Sequence, residues 1–388
     1  MTVIERRATG AANRSSDGAA AWAEAGRLHL RVDGVDRVVH ALWLLERSLD
    51  GRDVEPVTGQ RLFEPTDVPA GLCVVDAEIT DRGVIDVGFS DGRRRAIGIE
   101  QLRCRMQDDP EAPPVPRSWT GLADLPTITW VDACRDADRL LDVLGAFHRD
   151  GVFLITGTPT TPGTLEDVAG RFGRVSATNF GTLFDVRSAP VPDDLAYTAV
   201  GLSAHLDQPY RRPTPGVQFL HTLVNGAPGG ESTVADGLAA VEALRVQDPA
   251  GYAILCGLDV EFRYDIGSDV VVDSAPLIDL RPDGTLRQLR FSPRLDFAPY
   301  VDPDVLDGFY AARRWLAEWL NAPAHQLEFK MEPGDVLVVD NHRVVHGRRP
   351  FDPTVGHRHL QGCYVDHDGP ATLWRLMMRR RIAKGRGR

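Results

Sequence analysis

Residues 107–118 limit the possible folds of this chain more than any other stretch. The run Gln107-Asp-Asp-Pro-Glu-Ala-Pro-Pro-Val-Pro116 carries four prolines. Each holds φ near about −65° and withholds an N–H, so no helix interior or central strand can cross it. It reads as an extended linker between two regions of different texture, 21–106 and 119–388. Residues 1–20, rich in Ala, Gly, Ser and Arg without periodicity, read as a flexible tail. A chain of 388 residues is long enough to give both regions a core.

The first region alternates in short runs. In Val84-Ile-Asp-Val-Gly-Phe89 the apolar Ile85, Val87 and Phe89 share a face, and Asp33-Gly34 and Asp91-Gly92 mark turns. This predicts a small antiparallel β domain. The second region opens with helical spacing at Leu140, Leu141, Leu144 and Phe147, then Gly151 and a strand, Val152-Phe-Leu-Ile155. A second helix is expected to start at Asp302 as N-cap with Pro303 at N1, burying Leu306, Phe309, Leu316 and Leu320. Short β runs surround these, including Val217–Leu220, Leu289–Phe291, Val336–Val339 and Leu360–Tyr364, with a hairpin turn at Arg281-Pro-Asp-Gly284. The fold class is mainly β with flanking helices, built on a jelly-roll or barrel core.

Acidic residues exceed basic ones, for a net charge of −11, which argues against nucleic acid or an anionic membrane as partner. The basic run Arg379–Arg388 reads as a solvated terminus. No apolar stretch has the length of a membrane span, and no apolar core follows Arg6 and Arg7 as in a secretory signal, so the cytoplasm is the expected location. Five scattered cysteines, with no C-x2-C pair, are expected to be reduced thiols.

Three segments carry the chemistry. In Ser203-Ala-His205-Leu-Asp207, an extended chain sends His205 and Asp207 to one face. In Asp340-Asn-His-Arg-Val-Val-His346, a strand and turn lead to a second histidine. Two imidazoles and one carboxylate form a facial triad suited to non-haem Fe(II), with positions open for a chelating keto acid and O2. Arg358, twelve residues beyond His346 on the next expected strand, has the planar fork to grip the distal carboxylate of a dicarboxylic keto acid.

These segments, with Asn179-Phe-Gly-Thr-Leu-Phe-Asp-Val186, Asp194-Leu-Ala-Tyr197, Pro215-Gly-Val-Gln-Phe-Leu-His221 and Gly229-Gly-Glu-Ser232, resemble the γ-butyrobetaine and trimethyllysine dioxygenases of the taurine dioxygenase superfamily. The resemblance implies a double-stranded β-helix catalytic domain, a small N-terminal β domain and a homodimer. It further implies Fe(II), 2-oxoglutarate and O2 as cofactor and co-substrates, with His205, Asp207 and His346 as iron ligands. Arg358 and Ser232 match the anchors of 2-oxoglutarate, while Phe180, Phe184, Tyr197 and Tyr364 match an aromatic cage for a trimethylammonium group.

Two departures bear on the substrate. Asp194 replaces a carboxylate-binding asparagine, and Arg290 or Arg294 falls near a second one. Either arginine suits a phosphonate as well as a carboxylate, so γ-butyrobetaine and (2-trimethylammonioethyl)phosphonate both fit. The expected outcome is hydroxylation, with desaturation or rearrangement open, in a setting of specialised biosynthesis. The alternatives are the same oxygenase chemistry on a free amine or guanidinium precursor, which Asp194 would pair, and a non-catalytic ligand-sensing barrel. A third departure is in the N-terminal domain, where the family's zinc thiolates are matched by Ser48, Asp50 and Asp53, and Arg93 stands near the position of its histidine. Such a set makes no soft tetrahedral site. No structural zinc is expected, and an Asp–Arg pair in its place would contribute under about 1 kcal/mol if exposed.

Overall fold

A computed structural model describes residues 13–14, 19–80, 83–106, 109–187 and 198–386. The chain divides into two compact units, 1–110 and 111–388.

In the first unit, strands Ala20–Glu24, Arg27–Val32 and Val35–Val39 form an antiparallel meander. Asn13–Arg14 pairs with Ala20–Ala21, where the sequence suggested only a flexible tail. A second sheet joins Val74–Ile79, Val84–Phe89 and Arg94–Gly98. Alternation sends Leu28, Leu30, Ile85, Val87 and Ile97 into one core, closed by Leu44, Leu45 and Leu102 from short helices. The same parity on Arg94–Gly98 turns Arg95 inward with Ile97. Arg95 there forms a two-pronged pair with Asp53, its Nη2 lying 2.7 Å from Oδ1. This corrects the expected pair in two respects. Arg93 sits outside the strand, pairs with Asp91 at 3.2 Å and donates to the carbonyl of Asp67. The Asp53–Arg95 pair is buried, with only 3% and 6% of the two side chains exposed. Ser48 is buried as well, and Asp50 turns outward to Arg52.

The second unit is built on two sheets. The larger runs in the order Val175–Ser176, Arg358–Val365, Val217–Asn225, Val336–Asp340, Val152–Thr156 and Thr127–Thr129, with Phe184–Arg187 also on Arg358–Val365. The smaller runs Leu202–His205, Val344–Arg348, Ser232–Asp236 and Leu327–Phe329. All pairings are antiparallel except Thr127–Thr129 on Val152–Thr156. The fold is a jelly roll, and strand parity sorts its residues into layers. Val217, Phe219, Val336, Val338, Phe153 and Ile155 face outward onto helices Ala137–Asp150 and Thr164–Gly170. Val152, Leu337, Val339, Val234 and Val344 face the space between the sheets. Ala204, Ala235 and Val345 face the opposite way, onto helices Gly237–Gln247, Pro249–Gly257 and Pro303–Asn321.

The helix ends follow from local chemistry. Asp136 caps Ala137–Asp150, and Gly151 ends it in the left-handed region at φ 80°. Asp302 caps Pro303–Asn321; Phe309, Leu316 and Leu320 are buried, but Leu306, in its first turn, is only half-buried. The basic C-terminal run is not a free tail, because helix Gly369–Arg386 takes up most of it and Arg379 pairs with Glu111 at 2.7 Å. Among the described cysteines Cys73, Cys134, Cys256 and Cys363 are unpaired.

Candidate active site

His205 and His346 stand directly opposite each other on paired strands Leu202–His205 and Val344–Arg348. Parity turns His346 inward with Val344, and the two imidazoles lie 4.5 Å apart between centroids. Asp207 reaches the same point by a different route from the one its spacing suggested. The strand ends at His205, and a turn with Gln208 in the left-handed region (φ 50°) presents the carboxylate. Its Oδ1 lies 3.5 Å from Nε2 of His205 and 3.6 Å from Nε2 of His346. One donor atom from each of the three falls within 4.8 Å of the others, so a single cation can touch all three.

The surroundings hold these donors in ligating form. Nδ1 of His205 donates to the carbonyl of Ser203 at 2.9 Å, which leaves Nε2 with its lone pair. Burial pushes His346 down to about 4, so it is neutral at pH 7. Burial alone would raise Asp207, but the neighbouring His346 and His205 and the Tyr364 hydroxyl hold it well below the usual carboxylate range. The carboxylate's second oxygen, Oδ2, is taken by two donors: Tyr364 Oη at 2.7 Å and Nε2 of Gln218 in a short contact. Gln218 and Tyr364 are cross-strand partners on the large sheet. Asn341 fixes the backbone of Asp207, accepting from its N–H at 2.8 Å and donating to its carbonyl at 3.0 Å. Gln218 and Asn341 were not recognised as site residues from sequence. Their only signal was parity for Gln218 and adjacency to the Asp340 motif for Asn341.

Two cavities, each of about 80 Å³, meet at this triad and share Phe184, Val186, Leu202, His205 and Asp207 in their walls. The first adds Phe180, Tyr210, Ser292, Arg294 and Tyr364. Phe184 stacks on Tyr364 at 5.5 Å, and Phe180 lies 6.2 Å from Phe184. Tyr210, not foreseen from sequence, contributes a further aromatic wall. Arg290 does not reach this cavity. It is held by Asp273 at 2.6 Å and by the carbonyl of Pro209, which leaves Arg294 as the arginine of the pair that lines it. Asp194 and Tyr197 lie outside the described residues.

The second cavity adds His346, Gln218, Ser232, Arg348 and Arg358. Both arginines flank the ring of Phe351, at 5.1 and 5.6 Å. Nε of Arg358 is buried and finds no partner among the described residues. Burial, and then the charge of Arg348, push Arg358 down to about 9. A buried guanidinium with an unsatisfied N–H and a like-charged neighbour calls for an anion. A dicarboxylate fits that need, and the buried triad with its three acidic and imidazole donors fits ferrous iron.

A model of the taurine catabolism dioxygenase TauD, TfdA family matches residues 122–364. The chain belongs to that family. It is an Fe(II)/2-oxoglutarate-dependent dioxygenase. The γ-butyrobetaine dioxygenase of Pseudomonas sp. (strain AK-1) is 37% identical to it over 342 residues, 87% of this chain and 89% of the relative. The dioxygenase str8 of Strobilurus tenacellus is 30% identical over 362 residues, 86% and 82% of the two chains. The γ-butyrobetaine dioxygenase of Homo sapiens is 30% identical over 302 residues, 76% and 77%. Among the described residues of the dioxygenase, no helix is long and apolar enough to cross a membrane.

Proposed function

We propose that His205, Asp207 and His346 hold Fe(II), that Arg358 and Ser232 seat 2-oxoglutarate, and that the dioxygenase oxidises a small trimethylammonium compound with an anionic terminus. The observation that carries this reading is the pair of cavities with His205 and Asp207 in their shared wall, one aromatic and one lined by the buried Arg348 and by Arg358, whose Nε is buried. When bound, iron and 2-oxoglutarate supply an O2-derived oxidant for an unactivated C–H, with succinate and CO2 as by-products.

The chain's own residues position and shelter. The carbonyl of Ser203 accepts from Nδ1 of His205 and so aims Nε2 at the metal, and Gln218 and Tyr364 engage Oδ2 of Asp207 so that Oδ1 is the oxygen left for the metal. The guanidinium fork of Arg358 binds the distal carboxylate of 2-oxoglutarate, with Phe351 shielding it from water. Phe180, Phe184 and Tyr364 offer aromatic faces to the methyl groups, and we assign Tyr197 to the same cage. Arg294 meets the substrate's carboxylate or phosphonate, and we assign Asp194 to the ammonium end. Holding one C–H at a set place beside the metal is the protein's share of the catalysis.

The test is a panel of γ-butyrobetaine, (2-trimethylammonioethyl)phosphonate, and the primary-amine and neopentyl analogues of each, incubated with Fe(II), 2-oxoglutarate and ascorbate. Mass spectrometry should find one oxidised product per succinate for a trimethylammonium compound. Equal coupled turnover of the primary amine, or succinate release that no member of the panel stimulates, overturns the reading.

A further inference from the structure

A second group of metal-type donors lies apart from the iron triad. Asp340, His342 and His367 each place one ligand atom within 4.8 Å of the other two, the same spread shown by His205, Asp207 and His346. Asp340 ends the strand Val336–Asp340, His342 sits in the following turn, and His367 lies between the strand Arg358–Val365 and the helix Gly369–Arg386. In that turn the residues alternate in direction. Asn341 is buried and grips Asp207, while Asp340, His342 and His367 line a different cavity, of about 870 Å³.

We propose that Asp340, His342 and His367 form a second divalent-metal site, of the zinc class. Two imidazoles and a carboxylate are a common zinc donor set, and the cavity leaves room for water as the fourth ligand. Donors around a tetrahedral zinc stand about 3.4 Å apart. Nε2 of His367 and Oδ1 of Asp340 are 3.2 Å apart. Nε2 of His342 faces the hydroxyl of Thr214 at 3.0 Å. That contact orients the ring and assigns Nδ1 as the ligating nitrogen, the arrangement by which an outer hydrogen bond fixes a ligand histidine. The two rings are 4.3 Å apart between centroids, stacked at 17°, so binding requires a turn of the exposed His367 ring about its side-chain bonds. The proton that His367 shares with Asp340 leaves as the metal enters. The bound cation links the turn that carries Asn341 to the start of the C-terminal helix.

The test is a count of bound metal. Full-length protein stripped with EDTA is equilibrated with Zn(II), freed of unbound metal by gel filtration and analysed by atomic emission. Two equivalents are expected in the native chain, one in His367→Ala, one in His346→Ala, and none in the double variant. Co(II) should give separate d–d bands for the two sites. The side chain of His367 is 45% exposed, so its loss leaves no core cavity, and circular dichroism verifies the fold of each variant. A plateau of one equivalent in the native chain overturns the proposal whatever the variants do. So does retention of two equivalents in His367→Ala.

Discussion

Arg358 shows how one side chain specifies the chemistry of its ligand. Its buried Nε without an acceptor and its pKa of about 9 both follow from placing a guanidinium among apolar walls beside Arg348. Removing it should act on 2-oxoglutarate rather than on the oxidised substrate. Arg358→Gln is expected to raise the KM for 2-oxoglutarate by one to two orders of magnitude, since a charge-assisted hydrogen bond contributes about 1.5–3 kcal/mol. Arg358→Lys should recover only part, because an ammonium cannot reproduce the fork. Initial-rate kinetics with 2-oxoglutarate varied distinguish these outcomes. His221 makes a different point. It is fully buried on the helix-facing side of the strand Val217–Asn225, neither ring nitrogen has a partner among the described residues, and burial pushes it down to about 4. Its folded pKa lies below the unfolded value of about 6.5. The stability that comes from staying neutral is therefore complete above pH 6.5 and is lost as pH falls toward 4, by at most about 3 kcal/mol. Urea unfolding between pH 7 and 4.5 should show a shallower acid loss in His221→Leu than in the native chain.

At the scale of elements, the catalytic carboxylate depends on the pairing of two strands. Gln218 and Tyr364 are opposite each other in the register of Val217–Asn225 with Arg358–Val365, and both donate to Oδ2 of Asp207. A slip of one residue in that register would put the two on opposite faces of the sheet, so that only one could reach Asp207. Tyr364→Phe keeps the aromatic face and removes one donor. It should leave the affinity for a trimethylammonium substrate within about threefold while weakening Fe(II) binding about tenfold, in line with an outer-sphere hydrogen bond. Gln218→Leu should weaken Fe(II) binding similarly without altering the substrate KM. Anaerobic Fe(II) titrations followed by the absorption of the iron–keto acid complex separate metal loss from substrate loss. Equal effects of Tyr364→Phe on metal and on substrate would show that its hydroxyl serves the cage instead.

For the whole molecule, each unit buries an Asp–Arg ion pair, Asp53–Arg95 in the first and Asp236–Arg343 in the second. The second unit also surrounds its triad with donors. Removing one partner of the Asp53–Arg95 pair strands a charge, so Asp53→Ala should cost about 3–5 kcal/mol, and Asp53→Leu with Arg95→Leu should recover most of it. EDTA should leave the melting of this unit unchanged, as measured by calorimetry. A chelator-induced drop in the transition assigned to residues 1–110 would mean that a metal contributes there after all.

Local patterns determined much of this protein. The proline run marks the boundary region, Asp136, Gly151, Asp302 and Pro303 fix helix ends, alternation specifies Val84–Phe89, and a continuous apolar run marks Val336–Val339. His205, His346 and Arg358 each lie on a short strand that its own residues mark, whereas Asp207 stands beyond the strand end, on the turn at Gln208. Tertiary structure decided which side chains from distant segments share a point. It chose Arg95 over Arg93 because the strand begins at Arg94: Arg95 turns inward with Ile97, while Arg93 lies in the connection before the strand. It set Arg290 against Asp273 and left Arg294 to the cavity, and it brought Gln218 and Asn341 to Asp207. Such convergence depends on register and on turns such as the one at Gln208. These are set by the packing of whole sheets, and no short window of sequence contains that information.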